Sequence, residues 1–506
     1  MKKIILSLVL TLILFGCTNN FQTKENTNEQ FTIGSSINKL EQAKSPEIIE
    51  IKDKTIFNLK ASIIEKELNG NKLKMYAYNN MIPGPTFKVK QNSNIKINFT
   101  NNIDQNTTIH WHGLRHNVKD DGVPGISQDP IKPGESYSYN LFFPDAGIYW
   151  YHPHIREDIQ QEGGLAGNII VEPLEEDYYN KVDKEEIIVL DDILLTDGQI
   201  EPFGKEHSNF AIMGRFGNNL LINGDTNYNL ELNKGEVVRF YITNVANVRP
   251  FNLSFEGAKI KLIGSDLGKY EKETFVDSII IAPAERYIIE VKFEESKEYK
   301  IFNINPVKTY DLGKIKVKEN NTKEIEFEKL KSNNEVVEDI NKFREYFNKK
   351  PDYNLDLTID MPNMKMMHNM EEPEKIEWED DMGVMNLISD SSDITWIIKD
   401  SKSKKKNMDF MMKAKVGDKL KIRLFNDPKS MHPMQHPIHL HGQRFLVLSE
   451  NGIPNNNLVW KDTVLVQTGS TIEILVDVTN PGEWMMHCHI AEHLESGMMT
   501  ALEVKE

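Results

Sequence analysis

His487-Cys488-His489-Ile490-Ala491-Glu492-His493, with Met498 following, sets the frame for the rest of this 506-residue chain. It carries the only cysteine besides Cys17. In a strand, successive side chains point to opposite faces, so Cys488 turns one way and both histidine neighbours the other. Cys488, His493 and Met498 offer a thiolate, an imidazole and a thioether, a set that suits one soft copper with the methionine as a weak axial ligand. His487 and His489 then serve something else. The stretch reads as an electron wire between two metal sites.

Eight of the fourteen histidines fall in four His-X-His pairs: His110/His112, His152/His154, His439/His441 and His487/His489. Residues i and i+2 of a strand share a face, so each pair presents two imidazoles to one side. Eight imidazoles buried without partners would be costly; together they suit a multinuclear metal cluster. Two pairs lie early in the chain and two late, which places the cluster at an interface.

The pairs sit in a chain punctuated by short β-rich runs separated by Asn, Gly and Pro, the pattern of sandwiches. Residues 46–175 form a first unit, 180–317 a second, and 351–506 a third. The second holds one histidine, His207, and no visible metal site. Residues 318–350 read as a charged linker with a helix at Val336–Phe347, where Val336, Ile340, Phe343 and Phe347 recur at helical spacing. Residues 18–45 are polar and read as a flexible tether. At the front, Met1-Lys2-Lys3 and the apolar run Ile4–Phe15 form a secretory signal too short to span a bilayer, and Leu14-Phe15-Gly16-Cys17 resembles a bacterial lipobox. The expectation is an exported protein on the periplasmic or extracytoplasmic face, lipid-anchored through Cys17. The net charge of -16 argues against nucleic acid or an anionic membrane surface as partner.

His110-Trp111-His112-Gly113, Trp150-Tyr151-His152-Pro153-His154, His436-Pro437-Ile438-His439-Leu440-His441-Gly442 and His487-Cys488-His489 with His493 and Met498 resemble the four copper motifs of the three-domain multicopper oxidases. The resemblance runs from about Ile82 to the C-terminus and includes Leu221-Ile222-Asn223-Gly224 and Lys461-Asp462-Thr463. It implies an all-β fold of three consecutive cupredoxin-like β-sandwich domains, with copper in the first and third. It also implies four copper ions. His436, Cys488 and His493 would bind the type 1 copper with Met498 axial. His110 and His439 would bind type 2, and His112, His152, His154, His441, His487 and His489 the type 3 pair. Single electrons from a reductant would pass through Cys488 into His487 and His489, and four would reduce dioxygen to water.

Oxygen reduction consumes protons, and Asp121 matches the family's acid after the first histidine motif; as a residue it also reads as an ordinary turn aspartate in Asp-Asp-Gly. Bacterial relatives carry Glu directly after the position of His493. Here that residue is Leu494, with Glu492 and Glu495 as neighbours. Ten of the twenty methionines fall between Met361 and Met412, interleaved with polar residues. Thioethers select Cu(I), so Met361, Met364, Met366, Met367 and Met370, with Met431 and Met434, are the candidate contacts for a cuprous substrate. His368 and His432 are candidate auxiliary contacts, and His116 and His207 read as surface residues. The expected activity is a monomeric oxidase of Cu(I) serving copper tolerance. A general laccase acting on small phenols and a copper-sequestering lipoprotein without turnover are the alternatives.

Overall fold

The computed structural model describes residues 28–36, 39–321, 325–362 and 373–506. The described chain is mostly strand, arranged as three two-sheet sandwiches in sequence order. In the first, Ile56–Leu68, Asn94–Asn102 and Ser136–Phe142 form one sheet with the hairpin partner Asn71–Tyr78. The facing sheet runs Ile48–Ile51, Thr86–Lys90, Gly167–Glu172, Gly147–His152 and His110–His112. The second pairs a six-stranded with a five-stranded sheet, and the third a seven-stranded with a five-stranded one. Each sandwich encloses an apolar core.

Burial separates ordinary strands from those that carry histidines. Asn94–Asn102 alternates buried with less buried positions, as a sheet with one wet face does. His110–His112, Gly147–His152 and His436–Leu440 are buried at every position. One face of these strands packs its own core, and the other faces a neighbouring domain.

Two expectations need correction. The tether is docked from residue 28 onward wherever it is described. Gln30–Phe31 pairs with Phe203–Gly204, Ile33 inserts into the first core, and Glu41–Gln42 adds to Ile56–Leu68. A few apolar side chains (Phe31, Ile33, Leu40) among polar neighbours suffice to anchor an edge strand. The linker is likewise packed: helix Asn334–Asn341 is shorter than expected and is followed by a 3-10 turn at Arg344–Asn348. Ile340 and Phe343 are buried in a core that reaches Trp460 of the third domain, whose Nε1 donates to Asp339 at 2.9 Å. The leader with Cys17, and Met364, Met366, Met367, His368 and Met370, lie outside the described residues.

Candidate metal centre

Strand register divides the histidines of the third domain into two sets. In the antiparallel pair His436–Leu440 and Gly482–Cys488, Ile438 lies opposite Cys488 and His439 opposite His487. Directly opposed residues share a face. His436, two residues before Ile438, therefore joins Cys488 on one side, and His439 joins His487 on the other. In the first domain His152 pairs with His110 and Trp150 with His112, so those imidazoles also share a face.

On the Cys488 side, Sγ lies 3.6 Å from His436 Nδ1 and 3.8 Å from His493 Nδ1. The short helix Ala491–Glu495 carries His493 back, and Met498 N donates to His493 O at 3.0 Å. Met498 is buried in the same apolar core as Cys488. Trp396 stacks on His493 with centroids 3.9 Å apart, and His493 Nε2 faces Ile212 O at 3.3 Å. Burial pushes the Cys488 thiol up and the His436 imidazole down to about 3, with His432 adding to the latter.

On the other side eight histidines converge. His112, His152 and His489 bring ligand nitrogens within 4.8 Å of one another, as do His154, His441 and His487. Each of these triads draws on both the first and third domains. His110 and His439 remain, and they group with His112 within the same limit. Burial favours the neutral form of six of them: His154 is pushed down to about 3, and His112, His152, His441, His487 and His489 well below their ordinary value, nearby rings adding to the effect.

Two buried carboxylates hold the rings from outside, and a third buried acid stands close without a hydrogen bond to them. Asp121 Oδ2 lies 2.9 Å from His441 Nδ1 and Oδ1 3.3 Å from His110 Nδ1. Asp462 Oδ1 accepts from His112 Nε2 at 3.0 Å, and its backbone oxygen accepts from His439 Nδ1 at 2.9 Å. Glu157 Oε1 lies 3.4 Å from His154 Nδ1 and Oε2 3.8 Å from His152 Nδ1. Burial opposes ionisation of Asp121, but His441, His110 and His116 hold it well below the usual carboxylate range. Glu157 goes the other way: burial, with Glu495 and Asp158 nearby, raises it well above that range.

With the outer nitrogens so occupied, the inner ones have no partner. Nε2 of His110, His152, His154 and His439, Nδ1 of His112 and both nitrogens of His489 are buried without a hydrogen bond. An orphaned buried polar atom costs about 1–3 kcal/mol. His441 Nε2 and His487 Nε2 also face each other at 3.0 Å. Neutral imidazoles aimed inward at such spacing fit metal cations, and the thiolate–imidazole–thioether set beside them fits copper.

The expected site residues fall as follows. Cys488, His436, His493 and Met498 gather in one core, and the eight histidines of the four pairs in another pocket, with Asp121 against it. His116 is buried rather than surface, 3 % exposed, with Nε2 3.5 Å from Asp121 Oδ1; Asp121 and the packed loop before it draw the ring inward. Met361 is 6 % exposed in the third core, which its polar sequence neighbours conceal. Leu494 packs with Val123 and Met485 in a small apolar cluster. Glu492 Oε1 accepts from Asn247 Nδ2 at 3.1 Å, and Glu495 Oε1 from the Glu157 N–H at 3.2 Å. Glu157 and Asp462 were not foreseen. A carboxylate three residues after His154 was the available signal for the first. Asp462 becomes visible only through register, because Thr463 pairs with His439.

Models of the multicopper oxidase family match residues 62–176, 174–323 and 380–506, one for each sandwich. The chain belongs to the multicopper oxidase family. It is an oxidoreductase of a family that binds four copper ions and uses dioxygen with a reductant. The multicopper oxidase mco of Staphylococcus aureus is 27 % identical over 457 residues, covering 88 % of each chain. The iron transport multicopper oxidase FET3 of Gibberella zeae is 27 % identical, covering 83 % of this chain and 71 % of its own. Among solved structures, the Campylobacter jejuni multicopper oxidase, titled a metallo-oxidase, is 26 % identical with a TM-score of 0.69, covering 92 % of this chain and 98 % of its own. The Pseudomonas thermotolerans multicopper oxidase is 26 % identical with a TM-score of 0.68, covering 89 % of this chain and all of its own.

Proposed function

We propose that this multicopper oxidase takes its electrons from Cu(I), as an exported, lipid-anchored monomer serving copper tolerance. In this reading His436, Cys488 and His493, with Met498 in the same core, would hold the type 1 copper. His110 and His439 hold type 2, and His112, His152, His154, His441, His487 and His489 hold the type 3 pair. When bound, the four coppers supply one-electron acceptance beside Cys488 and four-electron reduction of dioxygen at the histidine cluster.

The chain's own residues provide the rest. The peptide of Cys488 joins one site covalently to His487 and His489, the shortest path between them. Asp121 and Asp462 fix which nitrogen of each ring they touch points inward, as carboxylates beside metal-binding histidines generally do. Asp121, between His116 and the cluster, is the residue we place on the proton path.

The cuprous preference rests on the cover over the Cys488 site. His436 is 1 % exposed and His493 fully buried beneath Trp396, so neither offers an open face to a phenol. The material around them is soft and acidic. Met434 is buried and Met431 and Met382 half-buried against that core. Gln435, next to His436, exchanges hydrogen bonds with the backbone of Glu377. Burial together with Asp381 and Glu374 pushes Glu377 up to about 7, the mark of acids crowded where a cation would relieve them. A small soft cation suits this approach better than a phenol.

The test is oxygen uptake by the copper-loaded chain on Cu(I) and on a phenol, before and after Met364, Met366, Met367 and Met370 are replaced by Ser. Cu(I) oxidation should fall and phenol turnover stay unchanged. Fast phenol turnover without added copper, with Cu(I) turnover indifferent to the replacements, would instead make this a general laccase. A copper-loaded chain that is colourless and consumes no oxygen would make it a sequestering protein.

A further inference from the structure

We propose that Arg286, from the sandwich that supplies no metal ligand, is a positioning residue for the histidine cluster and acts through Asp462. This rests on the reading of His112 and His439 as copper ligands. Arg286 lies in the strand Arg286–Lys292 of the second domain, and its side chain is fully buried. Its guanidinium makes a two-pronged contact with Asp462 of the third domain: Nη1 donates to Oδ1 at 2.6 Å and Nη2 to Oδ2 at 2.5 Å. Nε donates to Ile148 O of the first domain at 3.0 Å, and Nη1 also reaches Ala284 O at 3.2 Å. One side chain therefore ties the three sandwiches together at a single point.

The consequence falls on ring orientation. The Oδ1 that Arg286 grips is the atom that accepts from His112 Nε2, which leaves Nδ1 as the inward lone pair. The same residue's backbone oxygen accepts from His439 Nδ1, which leaves Nε2 inward. Thr463 Oγ1 donates to Asp462 Oδ1 at 2.8 Å and completes the seat. Asp462 thus orients two rings from different domains that stack with centroids 3.6 Å apart, and each ring presents the opposite nitrogen. Arg286 sets the plane of that carboxylate.

Gly113, directly after His112, shows how tightly the seat is built. At φ +89° it takes a conformation other residues rarely adopt, and a Cβ there would stand 2.5 Å from Asp462 Oδ2 and 3.0 Å from Arg286 Nη2. A Lys in place of Arg286 keeps the charge but cannot make the planar fork.

The experiment uses the full-length copper-loaded chain and its Arg286→Lys, Asp462→Asn and Gly113→Ala variants. Copper per chain after dialysis against a chelator, the type 2 electron paramagnetic resonance signal, the blue absorption band, and KM against kcat are measured. In all three variants the type 2 signal should change and cluster copper should be held about 10–100-fold more weakly, the usual cost of losing such an outer partner. The blue band and the KM for the reductant should stay as in the wild type, with the loss confined to kcat. Wild-type type 2 parameters and full copper retention in Arg286→Lys would overturn the proposal. So would loss of the blue band and the cluster together, which marks a merely structural role. Should Arg286→Lys fail to fold, unchanged type 2 parameters in both other variants overturn it equally. A wild-type chain lacking a type 2 signal would instead defeat the ligand assignment beneath it.

Discussion

The Cys488 site and the histidine cluster share one strand yet are built from opposite materials. Around Cys488 the wall is aliphatic and aromatic: Ile438, Ile490, Met434, Trp396 and Met498 belong to one apolar core. Among the described contacts of His436 and His493, none is to a carboxylate. Around the eight histidines the wall is polar, with the buried carboxylates of Asp121 and Asp462, a buried acid at Glu157 whose ionisation burial opposes and, behind Asp462, a buried arginine. The side chains gathered at the first site come from one sandwich, and those of the second from two. A centre that only accepts and passes electrons gains from a rigid dry shell, whereas one that must also receive protons needs groups able to carry them.

The largest test of that contrast is acid stability of the copper-free chain. Burial pushes His154 and His436 down to about 3, and His112, His152, His441, His487 and His489 well below their ordinary value of 6.5. The unfolded chain binds protons that the folded one refuses, so stability is present above about pH 6.5 and falls as the pH drops below it. For a ring at about 3, the loss by pH 5 is about 2 kcal/mol. The melting temperature of the copper-free chain should therefore drop steeply between pH 7 and 5. Replacing His436 by Gln should relieve little of the drop, since most of the rings are in the cluster.

Next in size, Cys488→Ser should cut turnover at least about a thousandfold, as removal of one member of an interdependent set does. The blue band should vanish while the type 2 signal persists, read by absorption and electron paramagnetic resonance on one sample. Asp121→Ala should do the reverse, weakening cluster copper about 10–100-fold with the blue band intact, as metal analysis after dialysis would show. The smallest effect belongs to the apolar wall. Ile438→Val removes one methylene beside Cys488 and should cost about 0.5–1.5 kcal/mol in denaturant unfolding without touching the type 2 signal.

The gathering of the histidines was legible because strand alternation is a local rule: His-X-His and His-Cys-His carry their geometry within three residues. The three sandwiches were legible from short β runs for the same reason. What escaped depends on distant partners. Asp462 matters because its strand lies beside His439, Glu157 because helix Glu157–Gln160 turns it back on His152 and His154, and His116 because Asp121 draws it inward. Arg286 left no trace in local pattern at all. The tether was misread as loose because a few apolar residues in a polar stretch carry little periodic signal, though Phe31, Ile33 and Leu40 are enough to dock it.

Each histidine triad of the cluster draws rings from the first and the last sandwich. A metal ion held there works as a rivet through two plates, and its binding energy adds directly to the grip between them. The copper-free molecule should part more readily along that line. Proteases should find it there first, and the same molecule should toughen as it fills.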